Sequence, residues 1–263
     1  MIEFKNLWHH YGAAPTLKGV NLHIPKGELM VVMGPNGMGK STLLKCAAGL
    51  HAPFKGEIYI DGQLRRSSEE IELKIRQNVF YLPDNLWMPV LLSPRIFLLQ
   101  MGELYSRPEE EVYEHAIQLL QLFNLSEKAD GKIASLSMGQ KKKLSLCAAL
   151  ISNCKTLILD EPFSGGLDSS ALLILQKLFR QMADNEQVTI LMAVPVPELV
   201  EKVADRIAVI ADGEILACGS MQELREKHNT EGDLGEILET LIASNSIDHL
   251  NSYLKEFHHE THH

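Results

Sequence analysis

The stretch that most restricts what this chain can fold into is GPNGMGKST, Gly34 to Thr42, set between the apolar run ELMVVMG and the helix-forming run STLLKCAAGL. It fits the phosphate-loop pattern G-x-x-x-x-G-K-[ST], with the strand before and helix after that the pattern requires. Glycines let successive backbone N–H groups turn toward phosphate oxygens, and the helix N-terminus adds partial positive charge. Gly34, Pro35, Asn36, Gly37, Met38 and Gly39 therefore form a nucleotide-binding loop that closes on Lys40, Ser41 and Thr42. Lys40 is placed to reach the β- and γ-phosphates of a nucleotide, and Ser41 to ligate Mg²⁺.

The flanking sequence extends this unit into an α/β domain. IEFKNLW, VNLHI and GEIYIDGQ read as strands, with turns at Pro25–Lys26–Gly27 and Asp61–Gly62. TLILD is a short apolar strand of the kind buried on both faces. SALLILQKLFRQMAD predicts a helix, TILMAV a strand, PELVEKVAD a helix, and RIAVIADGEILACG a hairpin about Asp212–Gly213. Strands alternating with helices imply a mostly parallel sheet covered on both faces. Between its two halves, PEEEVYEHAIQLLQLF places Val112, Ala116, Ile117, Leu120 and Phe123 at helical spacing, and KKKLSLCAALIS adds a second helical run. The expected division is a core of residues 1–86 and 154–227, a helical insert over 87–153, and a C-terminal helix and tail over 228–263.

Charge and composition exclude several function classes. A net charge of −9 without a basic stripe disfavours nucleic acid as a partner. The four cysteines are scattered, which suits core thiols in a reducing cytoplasm better than disulfides or a zinc site. MIEFKNLWHHYG carries charge from its third residue, so no signal peptide is expected. The most apolar long segment, Leu86 to Met101, is broken by Pro89, Pro94 and Arg95 and falls short of the roughly 20 residues of a membrane span. Work at a membrane would go through another chain. The Lys141–Lys143 run reads as a solvated helix face, and FHHETHH as a solvated tail.

A second anchor is TLILDEP. Asp160 ends a buried strand, where a carboxylate is expensive unless a cation meets it; Mg²⁺ held through water supplies one. Glu161 follows and would face the γ-phosphate, placed to orient or deprotonate a water. Alone, such a pair also reads as a solvated strand end; the phosphate loop upstream ties it to ATP.

LSMGQKKKL lies between these anchors and SGGLD follows them. With GPNGMGKST, LSMGQKKKL, LILDEP and SGGLD in order, the chain resembles the ATP-binding subunit of ABC transporters from Tyr11 to about Lys227. The resemblance implies a P-loop NTPase, RecA-like core with an N-terminal antiparallel β-subdomain and an inserted α-helical subdomain carrying LSMGQ. It implies a head-to-tail dimer with a second ATP-binding subunit, in which Ser137, Gly139 and Gln140, with Asp168, complete the partner's ATP site. Tyr11 matches the aromatic that stacks on adenine. The implied work is ATP hydrolysis coupled to a membrane permease on a separate chain, at the cytoplasmic face of the membrane. Trp87, Met88 and Phe97 would lie beside the surface that meets the permease or, equally, pack the core of the helical subdomain, and the motif wording favours export.

Four positions depart from that pattern. Asp84 in YLPD replaces a glutamine, and still offers Mg²⁺ an oxygen. Met138 replaces the first glycine of the signature, and EPFSGGLD carries one residue more than usual. Most consequentially, TILMAVPVPELV places Pro195 where the family has a histidine bonded to the γ-phosphate. Proline has neither a side-chain donor nor a backbone N–H. Loss of one transition-state donor costs on the order of 10²–10³ in rate. The expectation is firm ATP binding with slow hydrolysis; the alternative is a catalytically weak half of a heterodimer.

Overall fold

The computed structural model describes residues 1–185, 187–228 and 230–243; FHHETHH and most of the expected tail lie outside the described residues. Strands β1 (Ile2–His10), β2 (Pro15–Ile24), β4 (Lys55–Ile60) and β5 (Gln63–Leu64) form an antiparallel sheet in the order β2–β1–β4–β5. The second sheet contains β3 (Leu29–Met33), β6 (Val79–Leu82), β7 (Thr156–Asp160), β8 (Thr189–Ala193), β9 (Arg206–Ala211) and β10 (Glu214–Gly219). Its order is β10–β9–β3–β8–β7–β6, parallel throughout except for β10. The α/β architecture expected from the sequence is the one observed.

Every residue of β3, β7 and β8 is buried. Side chains alternate between the faces of a strand, so a strand covered on both sides needs an unbroken apolar run. Leu29, Val31, Met33, Leu157, Leu159, Ile190 and Met192 join one core; Met30, Val32, Ile158, Leu191 and Ala193 join the other. The second core is closed by the antiparallel sheet and by α1 (Lys40–Ala47), through residues such as Phe4, Leu17, Leu43 and Leu44. The first is closed by helices, including α6 (Ser169–Asp184), which contributes Leu175 and Phe179.

Between β6 and β7 lie α3 (Pro94–Leu104), α4 (Glu109–Leu122) and α5 (Met138–Ser152). Leu98, Leu120 and Leu144 from these helices share one core with Phe80 and Leu82 of β6. Helix α5 is buried from Lys142 to Ser152, and this corrects the expectation for the lysine run. Lys142 is 1% and Lys143 8% exposed, because α5 is enclosed by the core rather than lying on its surface.

Two other elements differ from expectation. Helix α2 (Glu69–Asn78) was not foreseen; Ser68 caps it by accepting from the Ile71 N–H, and acids fill its first turn. The helix expected over PELVEKVAD shrinks to α7 (Pro197–Val200). The chain must return to the sheet at once: Asp205 donates its N–H to the Leu29 carbonyl and accepts from the Leu29 N–H at 2.8 Å. The hairpin between β9 and β10 turns through Asp212 and Gly213, both at positive φ (49° and 81°), as a two-residue turn requires. Helices α8 (Met221–His228) and α9 (Leu234–Leu238) follow.

Because β3, β6, β7 and β8 are parallel, their carboxyl ends share one edge, the usual place for a ligand in such sheets. The loop after β3, Asp84 after β6, Asp160 and Glu161 at the end of β7, and Pro195 after β8 all stand there.

Candidate functional site

Two glycines of the loop are dictated by close backbone neighbours. A Cβ on Gly34 would lie 1.9 Å from the Ile210 carbonyl oxygen, and one on Gly39 would lie 2.9 Å from that of Thr16. The loop is thus threaded between β9 and β2, and Gly39 caps α1 at φ 106°. Lys40 is buried, and its Nζ donates to the carbonyls of Gly34 (2.7 Å) and Pro35 (2.9 Å). Burial lowers the pKa of this ammonium, while Glu161 and Asp160 work against that shift. The lysine therefore curls over its own loop, with two carboxylates in electrostatic reach.

Ser41 Oγ donates to Asp160 Oδ1 at 3.2 Å, joining the start of α1 to the end of β7. Burial raises the Asp160 pKa, the Ser41 bond opposes this, and neighbouring Asp84 adds to the rise. A desolvated carboxylate with a hydroxyl partner and a second carboxylate nearby is a set of hard oxygen donors. That set fits Mg²⁺.

Glu161 has φ 49°, unusual for a non-glycine residue, and its N–H donates to the Ala193 carbonyl at 3.0 Å. The turn takes the residue out of the strand. Its pKa is raised, first by burial and then by Asp84 and Asp160, against Lys40 and Lys142. Asp84 itself is exposed, with Oδ1 3.4 Å from Ser164 Oγ. Two residues beyond Ala193, Pro195 is exposed; Val194 is buried and Val196 exposed, so this strand end offers no side-chain donor.

Tyr11 is 62% exposed and its hydroxyl lies 3.3 Å from Thr42 Oγ1. Its ring meets His9 (4.7 Å between centroids) and His51 (5.4 Å), an aromatic cluster that HHYG alone did not reveal. Burial lowers the pKa of both histidines.

Ser137 caps α5 in a reciprocal arrangement. Its Oγ accepts from the Gln140 N–H (3.2 Å), and Gln140 Oε1 accepts from the Ser137 N–H (2.9 Å). Gln140, expected to touch a partner's ATP, here spends its carbonyl oxygen on this cap. Met138 projects into solvent at 66% exposure. A Cβ on Gly139 would fall 2.4 Å from the Gly166 carbonyl oxygen, so the SGGLD loop rests directly on the first turn of α5. Asp168 caps α6 by accepting from Ala171 N–H and receives Lys143 Nζ at 2.5 Å. The Lys143 bond, then the Ala171 amide, hold its carboxyl below the usual range.

The loop and strand geometry is that of a nucleotide-binding cassette, and the family model described as ABC transporter matches residues 17–164, more than half of the chain. The chain belongs to the ABC transporter ATP-binding subunits. An energy-coupling factor transporter ATP-binding protein, EcfA of Methanosphaera stadtmanae, is 32% identical over 96% of this chain and 94% of its own length. The sulfate/thiosulfate import ATP-binding protein CysA of Acinetobacter baylyi is 33% identical over 87% of this chain; the match spans 65% of that relative, just under two thirds. A solved structure described as the ATP-binding subunit of an ABC transporter has a TM-score of 0.85 at 26% identity, covering 92% of this chain and 99% of its own. A dimeric ATP-binding cassette in a post-hydrolysis state, bound to ADP and phosphate, has a TM-score of 0.77 at 26% identity, covering 84% and 99%. The names of these relatives concern import and energy coupling, so the expectation of export finds no support among them.

Proposed function

We propose that the chain binds Mg·ATP, closes head to tail with a second ATP-binding subunit, hydrolyses the nucleotide slowly at Glu161, and so drives a membrane permease on a separate chain. The observation that carries this reading is the Ser41–Asp160 hydrogen bond, with Glu161 turned out at the next residue. Gly34 to Gly39 offer backbone N–H groups to the phosphates, and Lys40 exchanges the Gly34 and Pro35 carbonyls for β- and γ-phosphate oxygens. Ser41 and Asp160, with Asp84 beside them, would hold Mg²⁺. Bound there, the ion neutralises charge on the β- and γ-phosphates. Glu161 takes up or orients the proton of a water in line with the γ-phosphorus. The bond from that phosphorus to the bridging oxygen breaks, and ADP and phosphate leave.

Tyr11, leaning on Thr42, presents a face for adenine. Ser137 and the Gly139 amide sit at the N-terminus of α5, where an anion is favoured, and would meet the partner's γ-phosphate. Gln140 holds that turn, and Asp168 links it to the opposite site through Lys143. On this reading residues 1–86 and 154–227 are the ATP-binding core and 87–153 the helical subdomain. A groove of about 570 Å³ beside α3 and α4 is lined by Ile96, Leu99 and Val112 together with Gln100, Glu103, Arg107 and Glu109; Trp87 and Leu91, in the segment before α3, are exposed. Exposed Trp87 and Leu91 support a permease contact; Met88, in contrast, is buried in the core and Phe97 packs against it. Among the described residues no helix is long and apolar enough to cross a membrane, which accords with a peripheral place at the cytoplasmic face. Pro195 favours a second reading, in which the chain is the weak half of a heterodimer.

The dimer is tested with Glu161→Gln, which removes the group proposed to handle the attacking water and is expected to leave bound ATP uncleaved. With Mg·ATP this variant is expected to elute as a dimer in size-exclusion chromatography, and as a monomer without it. Monomer under both conditions would contradict head-to-tail closure of two copies.

A further inference from the structure

Lys142 is a charged group that the mechanism above leaves without a task. It lies in α5 just beyond the signature, is almost wholly buried, and its Nζ has no hydrogen-bond partner. An ammonium out of water is costly unless opposite charge stands close. Burial lowers its pKa, and Asp84, Glu161 and Asp160, the three carboxylates of the sheet edge, lie within electrostatic reach and work against that shift. Its stem runs beside Gly165, where an added Cβ would sit 3.5–3.7 Å from Lys142 Cβ, Cγ and Cδ. Gly165 follows Ser164, whose hydroxyl donates to the Glu161 carbonyl oxygen at 2.9 Å, with Asp84 Oδ1 3.4 Å away. Lys142 is thus connected to Glu161 twice, by packing through the loop after it and by charge.

We propose that Lys142 is a positioning residue for hydrolysis, its buried ammonium holding the Glu161 and Asp84 carboxylates in place. With Mg²⁺ taken up by Asp160 and Asp84, Glu161 is the carboxylate left to answer to Lys142, and a buried cation near it limits how far Glu161 can swing from the line of attack. The inference rests on the reading of Glu161 as the residue that handles the attacking water.

The test compares the full chain with Lys142→Met, Lys142→Arg and Glu161→Gln, measuring phosphate release against Mg·ATP concentration, ATP affinity with a fluorescent analogue, and Tm. A small displacement of a catalytic group costs up to about 10²-fold in rate. Lys142→Met is therefore expected to lower kcat by about 10- to 100-fold with KM and ATP affinity within about threefold. Its Tm should hold or rise, since an apolar isostere relieves a buried charge. Lys142→Arg should recover part of kcat. An unchanged kcat in Lys142→Met overturns the proposal, as does a loss accompanied by a lower Tm and no rescue by arginine, which marks a packing role. Wild-type release no faster than Glu161→Gln overturns the hydrolysis reading itself, and this inference with it; that result is distinct from a fast wild type matched by Lys142→Met.

Discussion

Pro195→His is expected to raise steady-state ATP turnover by about 10- to 100-fold, a part of the 10²–10³ that one transition-state donor is worth. The site is prepared for the change. Pro195 is exposed just after β8, so a larger polar side chain displaces nothing from the core. Ala193, two residues earlier, accepts the Glu161 N–H, so the end of β8 is tied to the catalytic loop. Replacing the ring also restores a backbone N–H and frees φ at that position. Since the donor acts on charge that develops in the transition state, kcat should rise while Mg·ATP affinity stays within about threefold. Phosphate release across a range of Mg·ATP concentrations separates the two. No increase would mean that the missing donor does not limit turnover.

Lys40→Ala is expected to weaken Mg·ATP binding by about 10- to 150-fold, the equivalent of the roughly 1.5–3 kcal/mol carried by a hydrogen bond to a charged group. The ammonium is held at the loop by the Gly34 and Pro35 carbonyls, so it is already ordered before nucleotide arrives and little of its rotamer freedom remains to be lost. Equilibrium binding of a fluorescent ATP analogue measures the loss directly. Affinity within threefold of the parent chain would mean that phosphate is held by the loop amides alone.

Much of the fold was legible because its physics is local. GPNGMGKST specifies a strand, a tight loop and a helix in one stretch, and the unbroken apolar runs of β3, β7 and β8 announce strands covered on both faces. Asp212–Gly213 gave the hairpin by turn chemistry alone. Helix α2 escaped because EEIELKIRQN buries only Glu72 and Ile75, too few inward residues to set up a helical period. Glu72 is inward for a reason visible only in three dimensions, the 2.8 Å ion pair it makes with buried Arg65. The lysines of α5 were misread for a similar reason. Charge usually marks a solvated face, but Lys143 finds Asp168 across the SGGLD loop and Lys142 faces carboxylates distant in sequence. The loop, Asp160 and Glu161 could be placed from motif order, whereas the Ser137–Gln140 cap and the Gly139–Gly166 contact needed coordinates.

The most direct test of the account is steady-state phosphate release by the purified chain with Mg·ATP, beside Glu161→Gln. The account predicts slow release by the parent chain that falls by about 10²-fold or more in the variant, with ATP binding retained. Equal release from the two proteins would contradict it: Glu161 would then handle no water, and the edge formed by Ser41, Asp160 and Pro195 would bind nucleotide without cleaving it.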